Sequence, residues 1–313
     1  MFPLAGKRIW VAGHRGMVGS AIARRLRQAE ADVVTVARSE LDLTDARATR
    51  SYVQAVKPDA IVVAAAKVGG ILANDTYPVD FLRDNLAIEL STIGAAHEEG
   101  VPRLMFLGST CIYPRDAKQP LREDCLLTGP LEPTNEWYAV AKIAGIKLAQ
   151  AYRRQYGRDY ISAMPTNLFG PGDNYHPTNS HMVAALIRRI HEAKMAGKKA
   201  VMMWGTGKPR RELMHVDDLA DACVFLLERY SSEDIINVGQ GEDHTILDIA
   251  RAIAKVVGWD GKFQHDLSKP DGTPQKRVNG DRLLAAGWRP KYDLHIGLAN
   301  AYEWFVQNSA AAA

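Results

Sequence analysis

Short runs that are apolar at nearly every residue, separated by stretches with helical periodicity, fill the first half of the chain and leave few folds open to it. Arg8–Ala12 reads as a strand, Met17–Glu30 as a helix and Asp32–Ala37 as a second strand, followed by a helix over Thr44–Val56 and a strand over Ala60–Ala66. The rhythm continues with a long helix over Asp80–His97, a strand over Arg103–Gly108, a helix over Tyr138–Tyr156 and a strand over Tyr160–Met164. Strands without a polar face must be covered on both sides, and strands joined through helices run parallel. The pattern predicts an α/β chain with a doubly wound parallel sheet. After Pro165 the rhythm breaks. Phe169–Ser180, rich in Gly, Pro, Asn and His, suits a binding loop. Further elements are expected at His181–Ala196, Val201–Trp204, Val216–Arg229, Ile235–Val238 and Ile246–Val257, then an irregular polar tail over Lys262–Arg289 and a last helix near His295–Gln307. Val216–Arg229 and Ile235–Gly239 are expected to rejoin the first sheet. That divides the chain into 1–165 with 212–238, and a smaller interleaved α/β unit of 166–211 with 239–313.

Composition narrows the classes of function. At 313 residues the chain is long enough to bury a large core, and a net charge of +3 gives no reason to expect nucleic acid as a partner. No apolar run reaches the roughly 18 residues a membrane span needs, and Met1–Lys7 has no signal-peptide core, so no membrane partner is expected. The three cysteines, Cys111, Cys125 and Cys223, have neither disulfide-framework nor zinc-site spacing. The expectation is a cytoplasmic, reduced protein without a metal site.

Glycines 13, 16 and 19 fall in Ile9–Ser20, where Gly13, His14, Arg15, Gly16, Met17, Val18 and Gly19 join the first strand to the first helix. A glycine can turn out of the strand, admit a pyrophosphate, or let helix pack on sheet, and the free N–H groups of the helix start favour phosphate. A purely structural turn is the alternative, but strand before and helix after favour a dinucleotide on a Rossmann-type sheet. The second strand ends at Ala37-Arg38 rather than at a ribose-gripping acid. Arg38 and Arg15 suit a 2′-phosphate, hence NADP(H), with Glu40 nearby as the competing acid. Asp42 and Leu43 border the expected adenine, or else announce the next helix.

Tyr138 and Lys142 stand four residues apart on one helix, so the ammonium and the phenol share a face. A cation beside a phenol favours its ionisation and brings it toward catalytic range. Alone the pair is a weak signal, since a surface tyrosine with a lysine one turn on is commonplace. Upstream, Ser109-Thr110-Cys111 follows the strand that ends at Leu107-Gly108. Taken singly, Ser109 suits a strand-end cap and Cys111 a packed core thiol.

Together the glycine spacing, Tyr-x-x-x-Lys and the upstream serine resemble the extended short-chain dehydrogenase/reductase family. Longer runs sharpen the resemblance: Ala12–Ser20, Ala64–Ile71, Cys111–Pro114, Leu131–Glu136, Ala141–Leu148, Tyr156–Tyr160, Pro165–Leu168, Asn179–His181 and Ser268–Pro274. They are similar to the branch of 3,5-epimerase/4-reductases that convert GDP-4-keto-6-deoxy-D-mannose to GDP-L-fucose with NADPH. Three features depart from the pattern: Thr110 in place of a second serine, Trp137 before the tyrosine, and a short segment around Tyr230–Asp234.

The resemblance implies that Cys111 and His181 exchange protons at C3 and C5, and that Ser109 and Tyr138 polarise the C4 ketone. It further implies that Tyr138 protonates the reduced oxygen, while Lys142 holds the cofactor ribose and keeps the phenol acidic. Leu107, Gly108, Pro165, Thr166, Asn167, Leu168 and His181 are expected beside the cofactor. Arg189 and Arg211 match the branch's diphosphate and sugar contacts. Trp204 and Asp271 suit packing on the ligand and accepting from its hydroxyls, with Lys269 and Arg277 as weaker candidates. Solvated charge is the plain alternative for the arginine pairs. Asn85 either braces the active site or is an ordinary satisfied amide. A homodimer through the two long helices follows from the resemblance alone. Of other enzymes of this fold, a 4-epimerase would have no need of the Cys111 and His181 pair, and a 4,6-dehydratase would carry an Asp-Glu pair where this chain has Thr110-Cys111. A non-catalytic NADP-binding relative would not need to keep Ser109, Tyr138 and Lys142.

Overall fold

The computed structural model describes residues 1–177, 180–268 and 271–309; Asn179 and Lys269 therefore lie outside the described residues. The elements run β1 (Arg8–Ala12), α1 (Met17–Gln28), β2 (Asp32–Val34), α2 (Ala46–Val56), β3 (Ala60–Val63), α3 (Ile71–Thr76), α4 (Pro78–Glu98), β4 (Arg103–Leu107), α5 (Glu136–Tyr156), β5 (Asp159–Pro165) and β6 (Asn167–Phe169). They continue with α6 (Met182–Met195), β7 (Ala200–Trp204), β8 (Arg210–His215), α7 (Val216–Arg229), β9 (Ile236–Val238), β10 (Asp243–Thr245), α8 (Ile246–Val257), β11 (Lys262–Asp266), β12 (Gln275–Lys276), α9 (Asp281–Ala285) and α10 (Leu294–Ser309).

Strands β2-β1-β3-β4-β5-β9 form one sheet in that order, every pairing parallel. β3 and β4 are buried along their whole length, as strands covered on both faces must be. Ile9, Val11, Met105 and Ile161 pack with Ile22 and Leu26 of α1 and Leu219 and Leu227 of α7. On the other face Trp10, Ile61 and Phe106 pack with Val53, Ile93 and Ile146, which belong to α2, α4 and α5. Arg103, at the head of β4, is buried and donates to the last carbonyls of α7, Leu226 O at 3.0 Å and Leu227 O at 2.9 Å. That cation adds a charged donor at the carbonyl end of the helix, where the backbone dipole favours it, and fixes α7 against the sheet.

The doubly wound sheet is the one the sequence predicts. The differences lie at edges and in polar segments. β2, at the sheet edge, stops at Val34, its pairing with β1 ending at Trp10, two residues before β1 itself ends. The tail from Lys262 is not irregular. β11 pairs with β7, and β12 pairs with β8, which in turn carries β6 and β10. β8 opens with Arg210-Arg211-Glu212 and β11 is mostly exposed, so neither shows the apolar run that marks a central strand. A third core gathers Leu186, Ile187 and Ile190 of α6, Ile249 and Ile253 of α8, and Leu298 and Phe305 of α10. β8 joins the layers: Leu213 packs into this third core and Met214 into the core beneath α1 and α7.

Candidate active site

The glycine loop sits where the parallel strands end, the place where a doubly wound sheet binds ligands. Gly13 has φ +92°, and a Cβ there would lie 2.6 Å from the Ala65 nitrogen. A Cβ on Gly19 would lie 2.2 Å from the Gly13 carbonyl oxygen. Only glycine at both positions lets the start of α1 close onto the strand ends. The helix begins at Gly16, with no side chain capping it, so its first N–H groups keep their capacity for an acceptor. His14, Met17 and Val18 complete the turn, and Arg15 is exposed on it.

Arg38 is exposed beyond β2, and Glu40, its competitor, accepts the Ala37 N–H at 3.0 Å. Asp42 accepts from both N and Oγ1 of Thr44, at 3.0 and 2.9 Å, which hold its pKa low, while Asp45 caps α2. Asp42 and Leu43 thus shape the turn before α2 rather than starting the helix. Leu107 ends β4, and a side chain on Gly108 would collide with Met164. Pro165, Thr166, Asn167 and Leu168 form the passage from β5 to β6, with Asn167 donating to Glu212 O at 2.9 Å.

A 3-10 turn at Thr110–Ile112 follows β4, with Ser109 at its head accepting the Cys111 N–H at 3.3 Å. The Ser109 side chain favours ionisation of both the Cys111 thiol and the Tyr138 phenol, so one serine acts on the two groups. Cys111 Sγ accepts from Lys276 Nζ at 3.3 Å and from Asn135 Nδ2 at 3.4 Å. Burial pushes the thiol up, but the Lys276 charge and the bonds from Ser109 and Lys276 outweigh it, leaving its pKa below the ordinary value. A thiolate favoured in this way is a competent base. Cys223, by contrast, is a core thiol pushed up to about 12 by burial. Neither Lys276 nor Asn135 is among the residues the sequence singles out.

Lys142, expected to make the phenol acidic, has a carboxylate for its near neighbour. The ammonium lies 5.9 Å from the Tyr138 ring centroid but 3.3 Å from Glu89 Oε1, and both partners are buried. Burial, the Cys111 charge and the Glu89 charge all raise the phenol's pKa, against the Ser109 bond. Tyr138 is therefore held protonated, the form of a proton donor. Asn85 accepts the Lys67 N–H at 2.8 Å and donates to Lys67 O and Phe81 O, a satisfied amide that also pins the loop after β3.

His181 caps the N-terminus of α6 with its Nδ1 3.9 Å from Asp173. That carboxylate raises its pKa above the usual value, against partial burial. Its side chain is half exposed, and no hydrogen bond ties it to the Ser109 cluster among the described residues. Asp173 carries no signal in sequence beyond its place in the loop.

On the other side, the cleft beside Cys111 is lined by Glu132, Asn135, Thr273, Gln275 and Lys276. Arg211 reaches the same strip, donating to Thr273 O at 2.7 Å, and burial lowers its pKa. Asp271 accepts from Thr206 N and Oγ1, so it shapes the loop next to Gly205. Arg189 donates to Ala185 O and Met202 O, and Trp204 is 62% exposed at the end of β7. Arg277 donates to Gly241 O at 3.4 Å.

Residues 9–239 match the sequence profile described as the NAD dependent epimerase/dehydratase family. The chain is 54% identical to the GDP-L-fucose synthase of Sinorhizobium fredii, over 99% of each. It is 55% identical to GDP-L-fucose synthase 1 of Arabidopsis thaliana, over 96% of this chain and 94% of that one. Among solved structures it is similar to a GDP-L-fucose synthetase from Naegleria fowleri bound to NADP, with a TM-score of 0.90 at 25% identity, over 99% and 97% of the two chains.

Proposed function

This chain belongs to the NAD dependent epimerase/dehydratase family, and from its site we infer GDP-L-fucose synthase activity. It is an NADP(H)-dependent enzyme that epimerises GDP-4-keto-6-deoxy-D-mannose at C3 and C5 and then reduces C4. The observation that carries this reading is the Cys111 thiol, held 3.3 Å from Lys276 and poised as a base, whose charge acts on the Tyr138 phenol poised as an acid.

The loop fits the cofactor. Gly13 and Gly19 leave room for backbone approach, α1 starts without a side-chain cap, and the exposed Arg15 and Arg38 suit a 2′-phosphate. NADPH, when bound, supplies the hydride for C4. Ser109 and Tyr138 direct hydroxyls to the C4 oxygen, which acidifies the C3 and C5 protons and stabilises the enediolate formed when one leaves. The Cys111 thiolate removes the proton, and the His181 imidazolium returns one from the opposite face. Tyr138 then protonates the C4 alkoxide. Arg189, Arg211, Trp204 and Asp271 are the residues we assign to the nucleotide diphosphate sugar.

A division into 1–165 with 212–238 for cofactor and 166–211 with 239–313 for substrate suits this chemistry, supported by the separate core of α6, α8 and α10. We place the enzyme in the cytoplasm, supported by three unpaired cysteines; no helix among the described residues is long and apolar enough to cross a membrane. A homodimer through α4 and α5 is supported by an apolar groove between them, lined by Leu86, Leu90, Ala144, Leu148 and Ala151. Incubation with GDP-4-keto-6-deoxy-D-mannose and NADPH, with the nucleotide sugar then read by NMR, tests the activity. GDP-L-fucose is the expected product, and keto sugar recovered unchanged contradicts the reading.

A further inference from the structure

We propose that Glu89 is a positioning residue of the reduction, its carboxylate fixing the Lys142 ammonium beside Tyr138 from the buried face of α4. The proposal rests on the reductase reading above and deepens it.

A carboxylate in the middle of a helix reads in sequence as a solvated face, yet Glu89 is 1% exposed. Burying a charge is costly unless a partner takes it up, and the partner here is Lys142 Nζ at 3.3 Å. The neighbouring helix is shaped around this contact. A Cβ on Gly145, one turn along α5 from Lys142, would lie 2.7 Å from Glu89 Oε2 and 2.5 Å from the Phe106 ring. Glycine is a poor residue for a helix interior, and here any side chain would displace the carboxylate. Phe106 closes the ammonium from β4, its ring centroid 4.5 Å away.

Few other charges face this pair. Tyr138 and Lys142 come from α5, Lys147 of α5 lines the groove beside Glu89, and the Cys111 thiol acts on the phenol from the turn after β4. Burial favours loss of the Lys142 proton and the Glu89 charge opposes it. Burial likewise raises the Glu89 carboxyl to about 7, with the Lys142 charge opposing, so the carboxylate is fully charged only on the alkaline side. The carboxylate therefore does two things. It keeps Lys142 an ammonium, and it offsets that charge so that Tyr138 keeps the proton it must deliver. Replacing Glu89 by an uncharged amide leaves two routes, loss of the Lys142 proton or loss of the Tyr138 proton. Both narrow the working range from the alkaline side.

The test is the pH profile of NADPH-dependent reduction in the full-length protein and in Glu89→Gln, with NADPH binding followed by fluorescence over the same range. The alkaline limb should move down by about one pH unit or more, and NADPH affinity should acquire a matching alkaline loss. Glu89→Asp, which keeps the charge on a shorter arm, should show a smaller shift in the same direction. It decides alone should Glu89→Gln fail to fold. A rate lowered equally at every pH, with the limb in place and binding independent of pH, overturns the proposal and leaves Glu89 a packing residue. An unmodified protein that consumes no NADPH with the keto sugar would defeat the reductase reading, and the binding profiles would still decide the role of Glu89.

Discussion

Two single contacts set the proton chemistry, and each can be removed without touching the group it tunes. Lys276 is the chief cause that lowers the Cys111 thiol against its burial. Lys276→Met should raise that pKa, so the thiolate fraction at neutral pH falls. Alkylation of Cys111 by iodoacetamide should slow by about tenfold for each pKa unit lost, with its pH inflection displaced upward. An unmoved inflection would remove Lys276 from the account. Asp173 acts in the opposite sense, raising the His181 pKa and extending the protonated, donating form to higher pH. Asp173→Asn should therefore pull the alkaline limb of epimerisation to lower pH while leaving its acid side in place. Epimerisation monitored by solvent-deuterium uptake reads this directly, and coincident profiles for parent and variant would count against it. Neither Lys276 nor Asp173 could be picked from the sequence, because each reaches its partner from a distant or featureless segment. Tyr138 and Lys142 are legible because a separation of four puts both on one face of α5, whereas Cys111 by itself reads as a packed thiol and is picked out only by the family resemblance.

At the scale of elements, the legible parts are those whose signal is local. Gly13, Gly16 and Gly19 sit between an apolar strand and a helix, and the structure puts them at the strand ends, with backbone contacts at Gly13 and Gly19 that only glycine permits. Gly19→Ala should force α1 away from the loop, since the added Cβ meets the Gly13 carbonyl oxygen at 2.2 Å. Overpacking of this kind costs about 1–3 kcal/mol. Thermal unfolding should move down by several degrees, and NADPH affinity should fall with it. A variant with parental affinity and melting would mean that the helix start is not pressed onto the loop. The polar strands were illegible for a physical reason. β8, β10 and β12 are held by pairing with one another and by side chains such as Glu212, which accepts the Val278 and Gly241 N–H groups. Their stability comes from partners remote in sequence, which no local period records. Glu89 was missed likewise, because burial of a lone glutamate is set by α5 rather than by α4.

Across the whole molecule, the parallel sheet supplies Ser109 and Cys111 at the end of β4, α5 supplies Tyr138 and Lys142, and the returning β12 supplies Lys276. On the proposed reading these elements bring together a base for carbon acids and an acid for the ketone oxygen, and the two activities should come apart by substitution. Cys111→Ser replaces a thiol with a hydroxyl that scarcely ionises near neutrality, while Ser109, Tyr138 and Lys142 stay in place. The direct test is deuterium NMR of the nucleotide sugar recovered from this variant with GDP-4-keto-6-deoxy-D-mannose and NADPH in heavy water. The account predicts no deuterium at C3 or C5 and reduction of the unepimerised sugar, giving GDP-6-deoxy-D-talose or GDP-D-rhamnose. Exchange and inversion of both centres at the parental rate would contradict it and return Cys111 to the role of a packed thiol.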